Sequence, residues 1–248
     1  MNAPTPENPL RIAAWSGPRN ISTALMRAWE NREDCFVSDE PLYAAYLAAT
    51  GLDHPMREEV IAAGDTDCRR VVEALTGPVP EGKSVWYQKH MAHHLLPGMD
   101  RGWIASLANV LLIRDPREVI ASYLKARATV TADDIGLPQQ VAILDALCEA
   151  GTPPPVIDAA DFLQAPEAHL RALCDAFGIP FTARMLAWPA GPRASDGAWA
   201  PHWYAQVWQS TGFDAPRVRD VRLEGQGAAV AEAVMPMYER LRERRMRF

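Results

Sequence analysis

Cysteine is scarce in this chain and carries no pattern. Cys35, Cys68, Cys148 and Cys174 are the only four, and no C-x-x-C pair occurs. That argues against a disulfide framework and against a zinc site. Long apolar runs are missing too. Nothing approaches the roughly 20 residues a membrane helix needs. A basic excess is also absent. Lys and Arg number 25 against 31 Asp and Glu, a net charge of −6. A dedicated nucleic-acid binder carries a basic face, so no nucleic-acid partner is expected. Residues 1–9 are polar and proline-rich, with no apolar core of a secretory signal. They are expected to form a flexible N-terminus, and the protein is expected in the cytoplasm, off the membrane. No internal repeat or low-complexity tract appears, and nothing fixes an oligomeric state.

What is present suits one large domain over residues 1–248, with 48% hydrophobic content to build a core. Bulky apolar runs predict strands near 11–15, 34–38, 84–88, 109–113 and 155–158. Helical spacing predicts helices near 21–31, 56–75, 92–97, 116–128, 138–149 and 166–177. Alternating strands and helices imply a three-layer α/β/α fold around a parallel sheet, with ligands at the carboxyl ends of the strands. Segments 42–82 and 129–152 are the expected variable parts around a second pocket. Residues 182–212 form a mostly irregular cap with Trp199, Trp203, Tyr204 and Trp208. Those aromatics suit a cap or a small satellite core equally. Residues 226–248 read as a packed terminal helix, its five Arg after Tyr238 on a solvated basic side.

Two loops carry chemistry. The first is Ser16-Gly17-Pro18-Arg19-Asn20-Ile21-Ser22-Thr23, between the apolar run 12–15 and a helical pattern carrying Leu25 and Trp29. The first amides of a helix have no internal partners, and the helix dipole favours negative charge there. Arg19 adds a cation, and Ser22 and Thr23 add hydroxyl donors. The expected ligand is a phosphate-like anion. The loop is not a Walker A motif, because Ile21-Ser22 stands where Gly-Lys is required. The second loop follows the run Asn109–Ile113 and reads Arg114-Asp115-Pro116-Arg117-Glu118. Asp115 is a good N-cap, Pro116 suits the first helical position, and Glu118 suits a capping box. Ser122 lies eight residues after Arg114.

Both loops resemble those of sulfotransferases, in which a cation precedes paired hydroxyls and R-[DN]-P precedes a serine by this spacing. The passage Val156–Phe181, with Pro166 and Phe177-Gly178-Ile179-Pro180-Phe181, is similar to the same family. So, more loosely, is Arg193…Gly197-Ala198-Trp199, where the family's R-K-G lysine and first glycine are missing. The resemblance covers residues 10–205. It implies a P-loop NTPase-like fold and 3′-phosphoadenosine 5′-phosphosulfate (PAPS) as donor. Gly17, Pro18, Arg19, Asn20, Ile21, Ser22 and Thr23 would face the 5′-phosphosulfate. Arg114, Ser122 and Arg193 would hold the 3′-phosphate. Arg19 would also stabilise the leaving phosphate, with no metal needed.

Two segments offer the base. Glu40, in Asp39-Glu40-Pro41-Leu42-Tyr43, follows a strand and matches an E-P-[LVF] stretch found in several sulfotransferases. In Gln88-Lys89-His90-Met91-Ala92-His93-His94, Lys89 matches the lysine that assists the leaving group and His90 the catalytic histidine. His93 and His94 are alternates. The implied acceptor is a hydroxyl or amine of a small molecule. Asn20-Ile21 replaces the usual Ser-Gly, and Ala24 replaces a tryptophan that often stacks on adenine. With Asp-Glu-Pro-Leu-Tyr, the loop marks a branch also found fused to aminotransferase-like domains in plants. A P-loop kinase and a non-catalytic binder of 3′-phosphoadenosine nucleotides are the competing readings.

Overall fold

In a computed structural model that describes residues 4, 5, 7–216 and 221–248, five parallel strands form one sheet. They are β1 (Leu10–Ser16), β2 (Cys35–Asp39), β3 (Val85–Met91), β4 (Ala108–Ile113) and β5 (Val156–Asp158). Their order is β2-β3-β1-β4-β5, and each neighbouring pair runs parallel. Each strand needs a crossover, and the helices supply them: α1 (Ser22–Glu30), α2 (Tyr43–Thr50), α3 (Arg57–Ala63), α4 (Cys68–Thr76), α5 (Pro116–Tyr123), α6 (Ala132–Ile135) and α7 (Leu137–Glu149). After β5 come α8 (Ala159–Gln164), α9 (Pro166–Ala176), the short α10 (Ala200–Trp203) and α11 (Ala205–Gln209), and the long α12 (Gly225–Glu243).

Strand alternation splits the core into two layers. Ile12, Ala14, Val85, Tyr87 and Leu112 face α1 and α9 through Leu25, Met26, Trp29 and Leu170. Ala13, Trp15, Trp86, Leu111 and Ile113 face α5, α7 and α12 through Ile120, Leu144 and Val234. Each fully buried aliphatic side chain contributes about 1.5–3 kcal/mol. Trp15 and Trp29 are both fully buried, one in each layer. A third cluster joins α2 and α3 to the cap through Tyr43, Tyr46, Val60, Trp199 and Tyr204. The cap aromatics therefore form a satellite core, and it sits beyond the carboxyl ends of β2 and β3.

The strands fall where expected, whereas several helices differ. The expected helix 56–75 is two, α3 and α4, separated at Gly64. The Asp65 carboxylate accepts from the Asp67 amide at 2.8 Å, and Asp67 then caps α4 by accepting from the Arg69 amide. The expected helix 92–97 is a single tight turn, Ala92–His94. The helix from 116 stops at Tyr123, where the amides of Ala126 and Arg127 both turn back to the Tyr123 carbonyl. α12 ends at Glu243, short of the expected 248. Its basic side is not simply solvated, because Arg240 pairs with Asp145 of α7 and Arg245 with Asp161 of α8. Residues 1–3 and 6 of the expected flexible N-terminus lie outside the described residues. Among the described residues, no helix is long and apolar enough to cross a membrane.

Candidate active site

β1 ends at Ser16 and α1 begins at Ser22, so five residues turn the chain from the sheet edge into the helix. Gly17 is required by close approach: a Cβ there would lie 2.3 Å from the Ile135 carbonyl oxygen of α6. The turn is completed by Arg19, whose backbone is left-handed at φ 54°. A non-glycine residue in that region is strained, and such strain gathers at functional sites. Asn20 does the work that glycine does elsewhere by fixing the loop. Its Oδ1 accepts from the Ile21 amide at 2.8 Å, and its Nδ2 donates to the Leu112 carbonyl of β4 at 3.2 Å. α1 starts with no side-chain cap and no acidic residue in its first turn. Ser22 and Thr23 are 6% and 8% exposed. Among the described residues their hydroxyls have no hydrogen-bond partner. Uncapped amides with idle hydroxyls fit an anion.

The second loop closes on the first. The Arg114 guanidinium donates to the Arg19 carbonyl at 2.8 Å and, through Nε, to Glu118 at 3.0 Å. Arg19 Nε donates to Ser122 Oγ at 3.0 Å. The Arg19 guanidinium carbon also lies 6.0 Å from the Trp203 ring centre, the outer reach of a cation–π contact. Arg19, Arg114 and Ser122 thus meet beside the N-terminus of α1, with Trp203 near Arg19.

Across β3 lies a second cluster. Register places Asp39 of β2 beside Lys89 of β3. Glu40 would point to the other face if the strand continued. Its φ of 41° turns the chain instead, and both carboxylates reach one ammonium. Lys89 Nζ donates to Asp39 Oδ1 at 2.7 Å, to Glu40 Oε1 at 2.6 Å and to the Tyr204 hydroxyl at 2.8 Å. That uses all three ammonium protons. Burial pulls the Lys89 pKa down, but Asp39, Glu40 and Tyr204 outweigh it and hold it well above its ordinary value. Burial raises the Glu40 pKa, an effect that Lys89 offsets only in part. The Glu40 side chain is 12% exposed. Among the described residues its Oε2 has no hydrogen-bond partner. It is the one carboxylate oxygen of the cluster left idle.

Not every expected site residue arrives. His90 neighbours Lys89 but points to the opposite face of β3. There it stacks on Trp15 at 4.3 Å and lies near Trp103. Burial, then repulsion from Lys89, lower its pKa to about 3. It is a neutral core histidine in this position, and the expected pairing with Glu40 does not form. His93 and His94 pack against Tyr46, and His94 also stacks on Tyr43 at 4.7 Å. Arg193 is not brought to Arg114 and Ser122. Its guanidinium reaches Glu30, at the far end of α1, at 3.4 Å, and its amide donates to Asp196 at 2.8 Å. The Arg27–Asp196 pair pins this segment along α1, and Arg193 makes its contacts there. Three residues not expected in the site join it: Asp39 beside Glu40, Tyr204 read as a cap aromatic, and Glu118 read as a capping-box residue.

The chain belongs to the sulfotransferase family, whose sulfotransferase-domain model matches residues 10–245. Among curated proteins it resembles branched-chain-amino-acid aminotransferase-like proteins 2 and 1 of Arabidopsis thaliana. It is 39% identical to each over 93% of its own length, and it spans 41% of theirs. Solved structures share the fold at lower identity. A sulfotransferase from Alicyclobacillus acidocaldarius is 12% identical with a TM-score of 0.57, covering 99% of this chain and 98% of that one. The sulfotransferase domain from the curacin biosynthetic pathway is 16% identical with a TM-score of 0.56, covering 92% and 98%.

Proposed function

We propose that this protein transfers a sulfuryl group from PAPS to a hydroxyl or amine of a small-molecule acceptor, with Glu40 as general base. The idle Oε2 of Glu40, at the same sheet edge as the uncapped N-terminus of α1, carries the reading. β3 alone separates β2 from β1, so the two strand ends lie about 10 Å apart. On this reading the acceptor and the sulfuryl group lie between base and anion site.

In this reading an acceptor oxygen or nitrogen forms a bond to sulfur as the bond from sulfur to the phosphate oxygen breaks. The acceptor proton goes to Glu40 Oε2, whose raised pKa makes it a stronger base. Lys89 keeps the Glu40 carboxylate oriented, and its three protons are already engaged there. The amides at 22–24, the Ser22 and Thr23 hydroxyls and Arg19 face the leaving phosphate. Arg114 and Ser122 are placed for a 3′-phosphate, since the guanidinium fork bonds phosphate oxygens in pairs. The work is alignment and charge stabilisation, as in phosphoryl transfer.

Turnover of a sulfur-labelled donor against a library of small alcohols, phenols and amines tests this directly. Glu40→Gln is expected to lower kcat at least ~100-fold, the lower range of general-base contributions, with donor affinity retained. Arg19→Ala is expected to depress kcat more than it raises the donor Kd, because the charge it faces grows in the transition state. Activity that dies with chelator and returns with magnesium would favour the kinase. Donor binding without turnover on any acceptor would favour the non-catalytic binder.

A further inference from the structure

We infer that Tyr204, delivered by the cap, is a positioning residue that divides Lys89 between Asp39 and Glu40 and so sets the proton affinity of the base. This rests on the sulfotransferase reading above and names a part of its machinery.

The Tyr204 hydroxyl is fully engaged. It donates to Asp39 Oδ2 at 2.7 Å and accepts from Lys89 Nζ at 2.8 Å and from Trp199 Nε1 at 3.2 Å. One donor and two acceptor sites are all that a phenol offers. Tyr204 is 5% exposed and sits where α10 meets α11. Asp39 Oδ2 also accepts from the Gly197 amide at 3.2 Å. Asp39 is therefore satisfied on one oxygen by the cap and on the other by Lys89, while Glu40 has Lys89 alone. Packing does not need this: a phenylalanine would fill the same space in the satellite core without the hydroxyl.

The electrostatic balance is short. Tyr43 from α2 and Tyr87 from β3 border the cluster, and burial raises both phenols to where they stay neutral. His90 and His94 lie behind Lys89, and burial keeps both neutral as well. Three charges remain, Asp39, Glu40 and Lys89, so two carboxylates compete for one ammonium. Without the Tyr204 proton, Asp39 is left under-satisfied in a low-dielectric site and draws Lys89 toward itself. Glu40 then loses part of its cation and binds its proton more tightly. Replacing Asp39 by asparagine does the reverse and leaves Lys89 to Glu40.

The test compares Tyr204→Phe and Asp39→Asn with the wild-type full-length chain. Readouts are kcat and donor KM across pH, and infrared titration of the Glu40 carboxyl identified by difference against Glu40→Gln. Tyr204→Phe should lower kcat about tenfold or more at neutral pH, with donor KM within about twofold and the acid limb moved up. Asp39→Asn should move the acid limb and the Glu40 titration down. Opposite shifts separate this role from general damage to the fold, and Asp39→Asn decides alone if Tyr204→Phe does not fold. Unmoved or parallel shifts overturn the proposal. If no acceptor is turned over, the sulfotransferase reading fails separately, and the infrared titration still decides whether Tyr204 has this role.

Discussion

Arg114 holds Glu118 with two nitrogens and the Arg19 carbonyl with a third. On the proposed reading, a 3′-phosphate would compete with the Glu118 carboxylate for the Arg114 fork. Glu118 is a competitor with a like charge, and its removal favours the anion. Glu118→Gln is expected to tighten adenosine 3′,5′-bisphosphate several-fold and leave adenosine 5′-phosphate nearly unchanged. Arg114→Ala should weaken the bisphosphate by about 2–3 kcal/mol and the monophosphate far less. Calorimetry on both nucleotides checks this, and equal effects on the two would remove Arg114 from the 3′ position. Arg19 and Glu40 add a second residue-scale point. Both are non-glycine residues with left-handed backbone at strand ends. Their types were legible in the sequence, but their φ values were not. The turn at Glu40 is what lets adjacent Asp39 and Glu40 share Lys89. Strand alternation alone would have put them on opposite faces.

The turn Ala92–His94, against α2, gathers titratable groups that the fold keeps neutral. Burial lowers His93 and His54 to about 4, and His94 lies well below its ordinary value. His90 stands at about 3, two residues upstream of the turn. The unfolded chain protonates all four near 6.5, and the folded chain does not. A depressed folded pKa contributes stability above the unfolded value, which is lost as pH falls from about 6.5 toward 4. Each such proton steepens the loss by about 1.4 kcal/mol per pH unit. Urea midpoints measured from pH 7 to 4 should fall steeply, and His90→Phe should flatten the slope. A midpoint independent of pH across that window would show that these histidines are not buried neutral. At this scale the strands were legible because each is a short run of bulky apolar residues. The helices from 56 to 76 were not, because helical spacing continues across Gly64 while the Asp65 and Asp67 side chains break the ladder there. The turn at 92–94 likewise carries helical spacing without helical length.

Over the whole molecule, the elements of the proposed anion site were the legible half. A strand, a tight loop and a helix start are local, and Arg114 to Ser122 is a fixed spacing. The base cluster was only partly legible, because it unites β2, β3 and a cap more than 100 residues downstream. Tyr204 reaches Lys89 through the satellite core, and no local pattern encodes that meeting. His90 was misplaced for the complementary reason: adjacency to Lys89 in sequence means opposite faces in a strand. Arg193 was drawn to the site by a loose motif, while the Arg27–Asp196 pair holds its segment along α1. The chain matches 41% of the length of its Arabidopsis thaliana relatives.

On the proposed reading, the loop at 17–23 together with Arg114 and Ser122 takes a 3′-phosphoadenosine nucleotide. Thermal unfolding with adenosine 3′,5′-bisphosphate, and separately with magnesium ATP, tests it most directly. At a hundredfold excess over its Kd, the bisphosphate should stabilise the fold by about 2.7 kcal/mol, while magnesium ATP at the same concentration leaves the midpoint in place. Stabilisation by magnesium ATP with no response to the bisphosphate would contradict the account.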